Sequence, residues 1–295
     1  MTAYRFLKGH GTENDFVLLP DHDGTVHGDL DPARVARLCD RRAGIGGDGV
    51  IRVVRSAVLL GRDAVTPEQA GASEWFMDYR NADGSVSEMC GNGVRVLAHH
   101  LVTEGLASLD EPLPIGTRAG VRTVVADQDG YAVDMGPARL LGPSRVGVDD
   151  ASGVGAREWP ATGVDMGNPH AVALVDDLAE AGDLLVQPSY DTGLYPAGVN
   201  VEFVVRRGEG HVAMRVHERG SGETRSCGTG ACAVLVAVAL ADGAADPGAE
   251  RPSPSEPVQY RIDVPGGVLK ASWEPGGGTT LSGPATIVAS GTTDL

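Results

Sequence analysis

The chain has 295 residues, 42% of them hydrophobic and 22% charged, which supplies packed cores and excludes global disorder. Its length suits two domains of similar size. With 24 basic against 40 acidic residues the formal charge is −16, so most of the surface repels a polyanion and nucleic acid is excluded as a partner.

The first eight residues contain no apolar leader core, and no run approaches the roughly 20 apolar residues of a membrane span. The chain therefore reads as soluble and cytoplasmic, with no membrane partner. Four cysteines, Cys39, Cys90, Cys227 and Cys232, are too few and too scattered for a disulfide framework. Thiols are expected instead.

Taken in chain order, β-like runs occur at Val50–Arg55, Arg122–Val125, Tyr131–Met135, Ala171–Val175, Val199–Val205, His211–Val216, Val258–Val264 and Gly267–Trp273. Two apolar stretches of helical length interrupt them: Val94–Glu104, ended by Gly105, and Ala231–Ala241, ended near Gly243. Ser56–Ser73 and Asp242–Pro257 read as exposed insertions that add no core. Gly142–Gly155 reads as a connection.

A repeat carries the chemistry. Asn81 to Val94 and Gly220 to Ala231 both end in Cys-Gly-x-Gly followed at once by an apolar helix, about half the chain apart. Backbone N–H groups at a helix N-terminus stabilise a thiolate, lowering a thiol pKa from about 8.5 to roughly 3.5–7.5. Glycines beside each cysteine let those amides approach a bound carboxylate. If two lobes face each other across a pseudo-twofold axis, Cys90 and Cys227 reach opposite faces of one carbon. One then removes a proton while the other delivers one, inverting the centre.

Other readings are weaker. Cys39 and Cys232 read as small buried hydrophobes. No zinc-ligand spacing is present, so no metal is expected. A pyridoxal phosphate racemase needs a Schiff-base lysine, and the chain has only Lys8 and Lys270, with no phosphate cup near Lys270. Gly44 to Gly49 precedes a strand-like run instead of a helix, which argues against a dinucleotide loop. A racemase for another amino acid, or a redox protein joining Cys90 to Cys227, remains open at this point.

The residues also resemble the diaminopimelate epimerase family. The matching stretches are Gly11-Thr12-Glu13-Asn14-Asp15-Phe16, Gly44 to Asp48, Asn81 to Arg95, Gly167-Asn168-Pro169-His170, Gly198 to Phe203, Glu218-Arg219-Gly220, Gly222 to Ala233 and Gly283-Pro284-Ala285. The resemblance implies interconversion of LL- and meso-2,6-diaminopimelate without a cofactor, in lysine and peptidoglycan precursor synthesis. It implies that Cys90 and Cys227 are the acid/base pair and that Gly91, Asn92, Gly228 and Thr229 hold the reacting end of the substrate. Asn14, Asn81, Asn168, Asn200, Glu218 and Arg219 match positions that recognise mainly the distal amino-carboxylate, and His170 matches a position near the site.

The fold so implied is α+β, with two similar lobes, each a curved, mainly antiparallel sheet wrapped around a central helix, and the substrate in the cleft between them. The first lobe is expected to comprise 1–133 plus 279–295 and carry Cys90; the second, 134–278, carries Cys227. A homodimer is also implied. The chain departs from the family at Gly49, where many members have Gln, and at Thr286-Ile287-Val288, where an aromatic often assists dimer packing.

Overall fold

The computed structural model describes residues 3–62, 65–149 and 156–295. They form two compact units, one of residues up to Val133 together with Gly283–Leu295, the other of Asp134–Ser282. The architecture is α+β in both.

The first unit contains β1 (Tyr4–Gly11), β2 (Asn14–Pro20), α1 (Pro32–Cys39), β3 (Gly49–Arg55), α2 (Pro67–Ala72), β4 (Trp75–Asn81), α3 (Gly91–Thr103), β5 (Leu113–Thr117), β6 (Gly120–Asp127) and the start of β7 (Gly130–Pro137). The second contains β8 (Arg139–Asp149), β9 (Ala156–Asp165), β10 (Pro169–Leu174), β11 (Ser189–Tyr190), β12 (Asn200–Gly208), β13 (His211–Glu218), β14 (Gly222–Thr224), α4 (Gly228–Ala241), β15 (Val258–Val264), β16 (Gly267–Trp273) and β17 (Gly278–Gly283). The final strand, β18 (Thr286–Thr293), pairs with β1 and so belongs to the first unit.

Strand pairing exposes a duplication. The first unit runs β18-β1-β2-β3-β4-β5-β6-β7, and the second runs β8-β9-β10-β12-β13-β15-β16-β17. Each series is antiparallel, antiparallel, parallel, antiparallel, parallel, antiparallel, antiparallel. Parallel neighbours need a crossover, and in both units the second crossover is the long helix: α3 between β4 and β5, α4 between β13 and β15. The strand corresponding to β8 is β18, taken from the far end of the chain.

The two long helices solve the burial problem differently. Nearly all of α4, Gly-Thr-Gly-Ala-Cys-Ala-Val-Leu-Val-Ala-Val-Ala-Leu-Ala, is buried, because an all-round apolar helix is stable only when covered on every side. It packs on β9, β10, β12, β15 and β16, and each buried valine or leucine contributes roughly 1.5–3 kcal/mol. In α3 the buried face also holds Asn92, Arg95 and His100. The shorter α1 starts on Asp31, whose side chain accepts from Ala33 N–H, with Pro32 in the first turn.

Three expectations from sequence are corrected. Ser56–Ser73 is not an exposed addition: Leu59 and Val65 are buried with Val54 and Phe76, and α2 begins with a Thr66/Gln69 capping box. Its apolar residues have a core to join. Asp242–Pro257 also docks, with Pro252 and Pro254 buried, Leu140 N–H donating to Glu250 O at 2.7 Å, and Asp242 accepting from Arg206. Gly142–Gly155 is a strand through Asp149, within β8 paired to β9, and the remainder lies outside the described residues. Among the described residues, no helix is long and apolar enough to cross a membrane.

Burial lowers the pKa of His100 to about 4, and burial together with Arg34 does the same for His27. The unfolded chain takes up protons at these rings near pH 6.5, whereas the folded chain does so only near pH 4. Stability is therefore lost as pH falls through that window. Urea midpoints measured from pH 7 to pH 4 should decline, and His100→Leu should make that decline shallower; an unchanged slope would contradict the buried-ring account.

Candidate active site

Each cysteine of the repeat is the N-cap of its helix. Cys90 (φ −144°, ψ 115°) precedes α3 and Cys227 (φ −123°, ψ 117°) precedes α4. In both, the sulfur accepts the N–H of the third helical residue, Gly93 or Gly230, at 3.4 Å. Gly91 and Gly228 are the first helical residues, so their amides belong to the unsatisfied end of the turn.

In the first unit, a network of amides surrounds Cys90. Its thiol donates to Asn14 Oδ1 at 3.6 Å, and Asn92 Nδ2 donates to the same oxygen at 3.1 Å. Arg95, fully buried, donates from Nη2 to Asn92 Oδ1 at 2.8 Å. Asn14 in turn donates from Nδ2 to Asp48 Oδ2 at 2.8 Å. The backbone that presents Asn14 is strained: Thr12 and Glu13, the two residues between β1 and β2, have φ of 49° and 62°. Left-handed non-glycine residues cost on the order of 1 kcal/mol each or more, and such strain gathers at functional sites.

Asp48 sits in a charged set with Asp15, Arg41 and Lys8. Arg41 Nη2 lies 2.6 Å from Asp15 Oδ1 and 2.7 Å from Asp48 Oδ1, and Lys8 Nζ lies 2.5 Å from Asp15 Oδ2. Burial and the neighbouring Asp15 push the Asp48 carboxyl up. Burial also opposes ionisation of Asp15, yet Arg41 and Lys8 hold it well below the usual carboxylate range. Asn81 stands apart from these contacts, closing the turn after β4 by donating to Ser85 Oγ at 2.9 Å.

In the second unit, two carboxylates act on the thiol through their charge. Cys227 is buried, with Thr229 Oγ1 at 3.5 Å from its sulfur. Burial pushes this thiol well above its ordinary value, and the negative charges of Glu218 and Glu202 push the same way. The expected lowering by the helix end is thus reversed at Cys227. The reason is balance: single hydrogen bonds from Thr229 and Gly230 favour the thiolate, but desolvation and two anions outweigh them.

His170 and Glu202 are both fully buried, with Nδ1 and Oε1 2.6 Å apart, and His170 Nε2 is 3.2 Å from Asn168 Oδ1. Asn200, opposite His170 in the parallel β10/β12 register, accepts the Arg219 backbone N–H at 2.9 Å. The exposed Arg219 side chain donates to Ala197 O at 2.7 Å. A Cβ at Gly198 would lie 2.6 Å from Arg219 Cδ, and the φ of +88° there also requires glycine. Glu218 accepts from Thr224 Oγ1.

Of the residues singled out from sequence, Asn14, Cys90 and Asn92 are brought into direct contact. Asn168 with His170, Asn200 with Arg219, and Cys227 with Thr229 form separate pairs. Sequence reasoning missed Asp48, Arg95, Glu202 and Thr224 as partners. Asp48 ends the Gly44 to Asp48 stretch, and Glu202 lies two residues beyond Asn200 and so on the same face of its strand. Both were within reach of the pattern.

The family model described as diaminopimelate epimerase matches residues 6–141 and 162–288. The chain is 56% identical to a diaminopimelate epimerase of Streptomyces coelicolor, covering 99% of this chain and 96% of that one. It is 48% identical to a diaminopimelate epimerase of Thermobifida fusca, with 97% of each covered. Among solved structures, a PhzF-family phenazine biosynthesis protein of Bacillus anthracis superposes with TM-score 0.66 at 14% identity, covering 100% of both chains. A hydroxyproline epimerase of Agrobacterium vitis gives TM-score 0.65 at 18% identity, covering 99% of this chain and 92% of that one. These two likenesses establish the shared fold. The sequence matches go further, and the chain belongs to the diaminopimelate epimerase family.

Proposed function

We propose that this chain interconverts LL- and meso-2,6-diaminopimelate by a two-base mechanism in which Cys90 and Cys227 act on the same α-carbon. The observation that carries the reading is the duplication: a cysteine caps the crossover helix at the same place in two identical strand series. A pair of acid/base groups, one for each face of the carbon, is what inversion of one centre requires.

In each turnover a thiolate takes the α-proton. The Cα–H bond breaks, an S–H bond forms, and the electron pair delocalises into the adjoining carboxylate. The second cysteine then gives its S–H proton to the opposite face, leaving a thiolate. Atoms and charge balance, with the two sulfurs exchanging protonation states. Amides at the first turns of α3 and α4, at Gly91, Asn92, Gly228 and Thr229, stabilise the carboxylate charge that grows in the transition state.

Asn14, Asn81, Asn168, Asn200, Glu218 and Arg219 recognise the substrate, mainly its distal amino-carboxylate. Arg219 suits a carboxylate and Glu218 an ammonium group, while the asparagines add donors and acceptors without further charge. His170 acts close by. The scheme uses no cofactor; Lys8, one possible Schiff-base lysine, is already paired with Asp15. Dependence on two reduced sulfurs suits the reducing cytoplasm. A homodimer is part of the same reading.

Cys90→Ala and Cys227→Ala should each lower kcat on the order of 10²-fold or more while circular dichroism stays that of the parent and stability falls only by the loss of one helix cap, about 1 kcal/mol. Full turnover by either variant would remove that sulfur from the mechanism. Arg219→Ala should raise KM for diaminopimelate by about tenfold or more, with a smaller change in kcat. Equal kinetics in the variant would place distal recognition elsewhere.

A further inference from the structure

Glu202 is a fully buried carboxylate in the second unit that the mechanism leaves without a task. Its carboxylate is fully buried on β12, and an ion in such a place is tolerated only when paired. Oε1 has a partner in His170 Nδ1 at 2.6 Å. Oε2 is buried and, among the described residues, meets no hydrogen-bond donor. A side chain kept in this state against its solvation cost calls for a reason beyond packing.

Its placement supplies one. Gly230 is the residue whose N–H caps the Cys227 sulfur, and a Cβ added there would fall 2.8 Å from Glu202 Oε1 and 3.3 Å from Cys227 Sγ. The carboxylate and the sulfur therefore flank one glycine at the first turn of α4. Both address the same partial positive charge at the helix end. Other ionisable groups arranged here are His170 on β10, Glu218 on β13 and the buried Tyr195, whose phenol is raised by burial and by the Glu202 charge.

We propose that Glu202 is a positioning residue for the reaction at Cys227, its buried carboxylate locking the His170 ring and occupying the space that Gly230 leaves open beside the sulfur. This rests on the two-base reading above and adds an assignment that the twofold pattern alone does not make. With one anion already at the end of α4, Cys227 rests as the thiol and serves as proton donor when the resting enzyme first meets substrate. The direction of the Cys227 shift agrees with this placement.

The test uses Glu202→Gln and Glu202→Asp in the full chain, with isotope-labelled cysteine β-carbons followed by NMR through a pH titration. In Glu202→Gln the Cys227 signal should titrate about one pH unit lower than in the parent, while the Cys90 signal stays in place. Its kcat should fall on the order of tenfold, with KM within about threefold. Glu202→Asp, which keeps the charge, should restore most of the Cys227 titration. An unmoved Cys227 signal, or Cys90 and Cys227 moving together, would overturn the proposal. Should Glu202→Gln fail to fold, Gly230→Ala reads the same contact: displacing the carboxylate should lower the Cys227 titration, and no change counts against the role. The titration needs no turnover, so failure of the thiol mechanism shows separately, as activity in Cys227→Ala.

Discussion

The interaction on which the structure depends is a sulfur standing where a helix normally has a serine or aspartate cap. At Cys90 and at Cys227 the extended N-cap backbone aims Sγ at the third amide of the helix, 3.4 Å away. That amide is carried by a glycine in both places, and bulk there would press on Met77 and Ile51 in one unit and on Glu202 in the other. Position, polarity and approach of a thiol are thus set by backbone geometry. The helix carrying it is in turn fixed by burial against its own sheet.

Identical caps do not make identical thiols. Around Cys90 the hydrogen bonds run through Asn14 and Asn92 and on to Asp48 and Arg95. At Cys227 the bonds are to Thr229 and Gly230, and burial, with the charges of Glu218 and Glu202 added to it, pushes the thiol up. The duplicated fold places a cysteine at the cap of each crossover helix, and the flanking strands give the two different neighbours. For a two-base reaction that asymmetry is useful, because a turnover must begin with one sulfur protonated and the other not.

Much of this was readable from the chain alone, for identifiable reasons. Repeated Cys-Gly-x-Gly before an apolar run located both caps, since helix starts leave local signatures that do not depend on distant contacts. Strands such as Val258–Val264 and Gly267–Trp273 were clear for the same reason. β1, β2, β4, β8 and β9 were not, because their residues are mixed in polarity and their pairing is fixed by partners far away, β18 with β1 above all. The insertion at Ser56–Ser73 misled through its composition: two buried apolar residues, Leu59 and Val65, are too few to show a period yet enough to anchor it. The Cys227 shift was out of reach too, as it depends on Glu202 and on burial that only the folded sheet creates.

The central claim is that two sulfurs, each capping its own helix, share the inversion of one carbon. It is tested most directly by running the reaction on LL-diaminopimelate in deuterium oxide and analysing both isomers after a small fraction has reacted. Two separate proton carriers require that the meso product already carries deuterium at the inverted centre while the remaining LL substrate keeps its original hydrogen. Early product that retains the original hydrogen, or LL substrate labelled as fast as product appears, would mean a single group serving both faces and would contradict the account.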